Sequence, residues 1–386
     1  MANSTTTLQD KERQKRLELR RYTRSQHSKN KASARRVRGA TANHQHVQQS
    51  LSSFHDPWPT HAERKGYEQI TLPEVLDLDD HYEETVKVTR LIRLLALRDH
   101  KPVYLVFDNV KLIKPAALLL LLAELHRCRL IHGNQKITGN YPTSPKIERM
   151  LHATGFFKLL GIHSRVVKKP KSYPMEYVEY VSHTNEVKGT VRGFREAILG
   201  TAITMSPMAK GRFYRALTEA MLNVSHHAYP KNSAHKNPQR GRWWLAGHVN
   251  RKTKELIIMF CDLGVGIPAT LPKIYTLELI RSVLALLPGI PPNDAQMIQA
   301  GMAIGRTRTR EQNRGRGLND LRSLVDQAGE GELNIYSHRG HYRYKPNDND
   351  TVRNYNGSIG GTLITWTVPL DSITNWIEQA IEDEYV

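Results

Sequence analysis

The spacing of apolar residues predicts a regular alternation of helices and strands in the first half of the chain. Apolar residues recur near every third or fourth position at 82–97, 115–130 and 144–160, which predicts three helices. A short apolar run at 103–107 predicts a buried strand, and 136–138 is a candidate strand before the third helix. Strands that alternate with helices predict a small α/β domain, which we place at residues 66–167.

The second half continues this alternation and predicts a larger α/β domain over residues 175–386. A lysine-rich segment at 168–174 is the predicted linker between the two domains. The predicted strands are 243–249, 255–260, 332–337 and 363–368, and the predicted helices are 219–229, 275–287, 296–304, 318–325 and 373–381.

Residues 1–60 have a different composition and are expected to form a mobile basic arm and a linker. Residues 11–38 contain twelve Lys or Arg and only two Glu, a large part of the net charge of +19. The arm has too few apolar residues to bury a core that would offset its ordering entropy. Such an arm binds nucleic acid or an acidic partner, or it keeps the chain in solution, and the sequence leaves these alternatives open.

The composition also limits the class of protein. The longest apolar run, 115–123, has nine residues and is too short to span a bilayer. No apolar segment opens the chain, so no secretory signal is expected. Cys128 and Cys261 are the only cysteines in 386 residues, too few for a disulfide framework. We expect a cytoplasmic protein that does not enter a membrane.

Four short motifs in the second half place acidic, amide and glycine residues in a fixed order. Glu219 and Asn223 are four residues apart, so they share one face of the predicted helix. Asp262 follows the apolar run 256–260. The glycine-containing motifs are Asp262-Leu263-Gly264-Val265-Gly266-Ile267, Arg314-Gly315-Arg316-Gly317-Leu318 and Gly360-Gly361-Thr362.

These residue types suit a nucleotide. An amide or carboxylate on the helix can hold Mg²⁺, which prefers oxygen ligands. A carboxylate at a strand end can accept a hydrogen bond from an amino group such as that of adenine. Gly264 and Gly266 allow positive φ and a close approach of backbone to ligand. The glycines at 315 and 317 precede a predicted helix, where free backbone N–H groups bind phosphate.

Together the motifs resemble those of the GHKL ATPases, which include gyrase, the heat-shock chaperone, histidine kinases and mismatch-repair proteins. The resemblance implies a Bergerat-type α/β sandwich, a mixed sheet covered by helices, that binds ATP and Mg²⁺. It implies that Glu219 is a general base, that Asn223 holds Mg²⁺ and that Asp262 binds adenine. The other nucleotide-binding residues that it implies are His227, Gly264, Gly266, Ile267, Arg314, Gly315, Arg316, Gly317, Leu318 and Thr362.

The resemblance implies that the segment 268–314 is the variable ATP lid of these proteins. We expect one or two of the arginines near its end to clamp a triphosphate, and a solvated basic loop is the alternative. These arginines are Arg306, Arg308, Arg310, Arg314 and Arg316.

Each motif has a simpler interpretation when taken alone. Glu219 suits a solvated helix carboxylate, Asn223 a surface amide, and Gly264 with Gly266 an ordinary turn. For His227, packing or phosphate contact is favoured over metal binding, because no matching cluster of Cys and His exists. The order and number of the motifs favour the nucleotide site.

The first domain shows a second resemblance. A strand that ends at Asp108, an apolar turn at 110–113 and a helix from Pro115 are similar to the STAS domains of anti-sigma-factor antagonists. Those domains carry a phosphorylated serine at the turn, where this chain has Lys114-Pro115-Ala116-Ala117. We expect a STAS-like domain without that phosphoacceptor, and an unrelated βα domain is the alternative.

Glutamate rather than asparagine at position 219 resembles the anti-sigma-factor serine kinases and the GHKL ATPases. One expected function is therefore ATP hydrolysis, or transfer of the γ-phosphate to a serine or threonine of a partner protein. The alternative is an ATP-gated switch of interaction or dimerisation without kinase activity, with nucleic acid held by residues 11–38. A protein partner is expected, and homodimers are common in the resembled families.

Overall fold

The computed structural model describes residues 66–132, 137–159, 163, 165, 175–184, 188–199, 205, 207–230, 241–287, 289–307 and 317–374. These belong to a unit that spans Phe54–Val386. Expectations for the basic arm, for the linker 168–174, for residues 308–316 and for the helix beyond residue 374 lie outside the described residues.

The first α/β part runs to residue 159. Its strands are β1 (Glu68–Thr71), β2 (Val75–Leu76), β3 (Val103–Val106), β4 (Leu112–Ile113) and β5 (Ile137–Gly139). Its helices are α1 (Tyr82–Arg93), α2 (Pro115–His132), α3 (Pro145–Ala153) and α4 (Phe156–Leu159). Strands β1, β3 and β5 pair in parallel in that order, and β2 pairs in parallel with β4.

Most elements predicted for this part are confirmed. Helix α1 continues as a wider π-helical turn to Arg98, and α2 begins at Pro115, the first-turn position that suits proline. The helix predicted at 144–160 was wrong in one respect, because it is divided into α3 and α4. Gly155 lies between them with φ of +75°, a left-handed conformation that ends a helix.

The second part contains a larger sheet and its covering helices. The strands are β6 (Met175–Thr184), β7 (Arg242–Asn250), β8 (Glu255–Asp262), β9 (Glu332–Ser337), β10 (Gly340–Tyr344), β11 (Thr351–Asn354) and β12 (Thr362–Pro369). The helices are α5 (Lys188–Leu199), α6 (Pro207–Asn223), α7 (Gly266–Ile274), α8 (Leu277–Val283), α9 (Asp294–Thr307), α10 (Gly317–Asp320), α11 (Ser323–Ala328) and α12 (Leu370–Thr374).

The seven strands are ordered β11-β10-β9-β12-β8-β7-β6, and each neighbouring pair is antiparallel. The expectation of a mixed sheet was therefore wrong. The short connections β7–β8, β9–β10 and β10–β11 join neighbouring strands, and the connection that carries α5 and α6 also joins neighbours, β6 and β7. Strand β12 lies between β8 and β9 and is antiparallel to both. The broader expectation of an α/β protein is confirmed.

Both faces of the large sheet are buried, in separate cores. On β7, Trp243 and Leu245 face a core formed with α6 and α11, whereas Trp244 and Ala246 face the opposite side. This alternation follows from the two-residue period of a strand. The core on the second face includes residues from the first α/β part, and α2 packs against β7, β8 and β12.

Helix α2 is the main contact between the two parts. Its residues from Ala117 to Ala123 are almost completely buried, since one side faces the small sheet and the other faces the large one. A helix that is apolar all round is typical of such a central position. In the part of the chain that the structure describes, no helix has the length and apolar character needed to cross a bilayer.

Candidate functional site

A cavity of about 450 Å³ lies beside the large sheet and is bounded by α6, α7, α9, α10, β8 and β12. Its volume is in the range of small-molecule sites, about 300–1,000 Å³. Glu219 and Asp262 open into this same cavity. The other predicted site residues that line it are Asn223, His227, Gly266, Ile267, Leu318 and Thr362.

Asp262 is the last residue of β8, lines the cavity and is 5% exposed. Its Oδ1 accepts a hydrogen bond from the Gly264 amide at 2.9 Å. Burial raises the pKa of Asp262 to about 7, and the hydrogen bond from Gly264 opposes this rise. The carboxyl group thus changes charge near neutral pH while it faces a site that can accept a ligand.

Thr362 and Ser337 lie next to Asp262 across three adjacent strands. Thr362 is paired with Asp262 on β8 and with Ser337 on β9. The Ser337 hydroxyl donates to the Gly361 carbonyl oxygen at 3.1 Å and lies 3.1 Å from Thr362 Oγ1. Because Ser337 has one hydroxyl hydrogen, Thr362 is the donor in the second contact, which leaves the lone pairs of Thr362 Oγ1 free to accept.

Glu219 and Asn223 line the cavity from α6, on one helix face as their spacing predicts. Burial raises the pKa of Glu219, and the negative charge of Asp320 adds to the rise, while Asn223 opposes it. The buried Nδ2 of Asn223 is the atom that can donate to the Glu219 carboxylate, so the two side chains form one polar pair in the cavity wall.

Helix α6 ends in a π-helical turn, Val224–Ala228, which carries His227 into the cavity wall. Burial and the neighbouring His226 lower the pKa of His227, so its imidazole is neutral at pH 7. A neutral imidazole can still donate one hydrogen bond to an anionic ligand. Its predicted packing or phosphate role fits this position.

The glycines of the Asp262 motif are required by contacts within the protein. A Cβ on Gly264 would overlap the carbonyl oxygen of Ala228, and the Val265 amide donates to that oxygen at 2.8 Å. Gly266 has φ of +74°, and a Cβ there would overlap the ring of His338. Gly264 does not line the cavity, so its function is to let the motif pack against the end of α6.

Ser337 and His338 were missed by the sequence reasoning. Ser337 Oγ accepts the Ile267 amide at 2.9 Å, and His338 Nε2 lies 2.6 Å from the Val265 carbonyl oxygen. Both residues therefore hold the Asp262 motif from the end of β9, which is separated from β8 by β12. A polar pair at the end of the predicted strand 332–337 was the available signal, but nothing in the sequence indicates which loop it contacts.

The predicted lid segment forms α7, α8 and α9, whose apolar residues Leu271, Ile280, Ala300 and Ile304 pack together. The predicted helix 318–325 is divided into α10 and α11, so the helix at the predicted phosphate end, α10, has one turn. Gly317 begins α10. Arg306 lies in α9, and the candidates Arg308, Arg310, Arg314, Gly315 and Arg316 lie outside the described residues.

Lys114 lies in the turn before α2, where the sequence predicts a STAS-like domain without a phosphoacceptor. Its ammonium group forms ion pairs with Asp77 at 2.9 Å and with Asp79 at 3.0 Å. The hydrogen bonds that Asp77 accepts from backbone amides and from Lys114 lower its pKa against the effect of burial. This turn is thus closed by an internal ion pair.

The donor atoms fit the ligands that the motifs predict. No cluster of three or more His, Cys, Asp or Glu suited to a metal occurs in the described residues. Mg²⁺ needs few protein ligands when phosphate oxygens supply the rest, and the Asn223 carboxamide offers such an oxygen. A search of the sequence against protein-family models gives no match, and no curated protein is significantly similar to it.

Proposed function

We propose that the cavity binds Mg-ATP and that the chain is a regulatory protein that hydrolyses ATP or transfers its γ-phosphate to a serine or threonine of a partner protein. The observation that carries the proposal is that Asp262, Glu219 and Asn223 all line one cavity. The helix, strand and Gly-Gly-Thr motifs that resemble those of GHKL proteins meet around it.

The purine end favours adenine. Asp262 in its ionised form and Thr362 both present acceptors, and the adenine amino group is a donor. Hypoxanthine has a carbonyl oxygen at the same position, which these acceptors repel. ATP should therefore bind more tightly than ITP, and the preference should increase as the pH rises through about 7, where Asp262 ionises.

The phosphate end supplies the base. Glu219 has a raised pKa, which brings it closer to the working pH, as general bases require. It would take the proton from water or from the partner's hydroxyl group as that oxygen attacks the γ-phosphorus and ADP leaves, and Asn223 would hold Mg²⁺. The metal ion, when bound, neutralises charge on the phosphates.

Substitution of the base tests this assignment. Glu219→Ala should lower the rate of turnover at least a hundredfold, a typical contribution of a general base. ATP affinity should change little, because the base does not hold the nucleotide. Glu196→Ala, at an exposed position on α5, is the matched control. Full turnover in the Glu219 variant, measured as phosphate release or label transfer, would disprove the assignment.

Incubation with γ-labelled ATP and co-purifying proteins separates the reaction types. Label on a partner supports a kinase, and phosphate release alone supports an ATPase. ATP-dependent association without either supports the switch, a second candidate that is favoured by the direct packing of the first α/β part on the nucleotide-site sheet. If the wild-type chain does not bind ATP at all, the proposal fails.

A further inference from the structure

The segment 355–361 joins β11 to the cavity wall and lies along helix α1 of the first α/β part. It ends at Gly361, directly before the cavity residue Thr362. The ring of Tyr82 on α1 stacks on Tyr355 with a centroid separation of 3.6 Å. The first α/β part thus contacts the segment at Tyr355, the segment's first residue.

The beginning of α1 binds the backbone of this segment. The Glu83 carboxylate accepts hydrogen bonds from the amides of Asn356 at 2.8 Å and Gly357 at 2.9 Å. The Tyr82 hydroxyl lies 3.2 Å from the Gly357 carbonyl oxygen and 3.3 Å from that of His338. Charged acceptors on backbone amides are among the stronger hydrogen bonds.

Arg93, the last residue of α1, binds the far end of the segment. Its Nη2 donates to the Ile359 carbonyl oxygen at 2.8 Å and to Glu124 Oε2 at 3.0 Å. Glu124 on α2 is completely buried and also pairs with Arg127. Gly360 has φ of +74°, and a Cβ there would overlap the Arg93 guanidinium. The guanidinium is therefore fixed on one side by a buried carboxylate and packs directly on the glycine.

A short chain of contacts leads from Arg93 to the purine end of the cavity. Gly361 is the last residue of the segment and follows Gly360. Its carbonyl oxygen accepts hydrogen bonds from the Ser337 hydroxyl and from the His338 amide, the latter at 3.2 Å. Ser337 in turn contacts Thr362 and the Ile267 amide. A shift of Gly360 and Gly361 would therefore move the hydrogen-bond acceptors, Thr362 and Asp262, that are proposed to face the purine.

We propose that Arg93 is a positioning residue for the purine end of the nucleotide cavity, so that the first α/β part is a component of the nucleotide site. This inference rests on the proposed function, because it assigns a role in ATP recognition. By reciprocity, a ligand that moves α1 changes ATP affinity, and ATP changes the affinity for that ligand. Glu83 and Tyr82 support the same segment at its other end.

The test compares nucleotide affinities of variants that keep the fold. In Arg93→Lys, a single ammonium replaces the planar guanidinium that reaches Glu124 and Ile359 together. ATP affinity should fall about tenfold, in keeping with the loss of a hydrogen bond to a charged group. The ratio of ATP to ITP affinity should fall towards one, because ITP lacks the amino group that the displaced acceptors bind.

Two further variants complete the design. Tyr82→Phe removes a hydroxyl and keeps the stacked ring, so it tests the segment even if Arg93→Lys fails to fold, and it should also lower the ratio. Arg90→Lys, at an exposed position on the same helix, should leave both affinities unchanged.

The outcomes distinguish the two proposals. If the wild-type chain binds neither nucleotide, the proposed function fails and the inference fails with it. If it binds ATP, and Arg93→Lys and Tyr82→Phe keep the wild-type ratio or weaken ATP and ITP equally, the residues have a structural role only and the inference alone is overturned. Equal binding of ATP and ITP by the wild type also overturns it.

Discussion

Asp262 is a buried carboxyl group whose charge is costly in the absence of a ligand. It accepts one hydrogen bond, from Gly264, and its pKa is raised to about 7. The folded state binds its proton more tightly than the unfolded state does. The stabilisation that proton binding by Asp262 gives to the folded state is therefore complete below about pH 4 and is lost as the pH rises to about 7.

The direction of this pH dependence predicts that a substitution of Asp262 stabilises the protein near neutral pH. Asp262→Asn keeps the shape of the neutral group and cannot ionise. Relative to the wild type, the free energy of unfolding of this variant should increase between pH 5 and pH 8, by on the order of 2–3 kcal/mol. Urea denaturation at the two pH values measures the difference. Glu278→Gln, at an exposed position on α8, is the control, and a difference that does not depend on pH would contradict the raised pKa.

At the scale of elements, the end of helix α6 and the Asp262 motif form one packed unit. The Val265 amide bonds to the Ala228 carbonyl oxygen, and Tyr229 Oη accepts the Leu263 amide at 3.2 Å. Glycine at position 264 makes this approach of two backbones possible. Packing does not require the glycine at position 211 of α6, because a Cβ at Gly211 would have no atom within 4 Å.

These two glycines should respond to alanine with opposite signs. Gly264→Ala should lower the free energy of unfolding by about 2 kcal/mol or more, since the new methyl group overlaps backbone that cannot move freely. Gly211→Ala should raise it by about 0.5–1 kcal/mol, because alanine is the better helix residue. Chemical denaturation of both variants measures the effects. A Gly264 variant as stable as the wild type would show that the motif is not packed on α6.

At the scale of the whole molecule, the two α/β parts share one hydrophobic core. Leu118 on α2 and Trp244 on β7 belong to the same buried cluster, although the sequence separates them by more than a hundred residues. The buried ion pairs of Glu124 with Arg93 and Arg127 lie at this contact. Two parts that bury each other's apolar surface are expected to unfold together.

A core substitution in the first part should therefore weaken the second. Leu118→Ala should lower the free energy of unfolding by about 2–5 kcal/mol. The loss should be equal by far-UV circular dichroism and by fluorescence, to which Trp243, Trp244 and Trp366 of the large sheet contribute. Leu91→Ala, at a position that is 36% exposed, is the control. A fluorescence transition that does not shift would show that the parts unfold independently.

The sequence determined the elements with a strong apolar pattern and the residues whose place is set by local spacing. Helix α2, strands β7, β8 and β9, and the common face of Glu219 and Asn223 follow from periodicity, which local backbone geometry imposes. The edge strand β11 was missed because every one of its residues is exposed and apolar alternation is weak. Its neighbour β10 was missed because its five residues, Gly340–Tyr344, include no aliphatic side chain.

Only the tertiary structure decided how distant segments meet. Sequence patterns do not show that Ser337 lies beside Thr362, or that Arg93 and the buried Glu124 hold the turn before it. The all-antiparallel order of the large sheet and the shared core could not be predicted from the sequence either. The physical reason is that strand order and long-range hydrogen bonds depend on which surfaces pack together, whereas the period of a helix or strand is fixed by the residues next to each other along the chain.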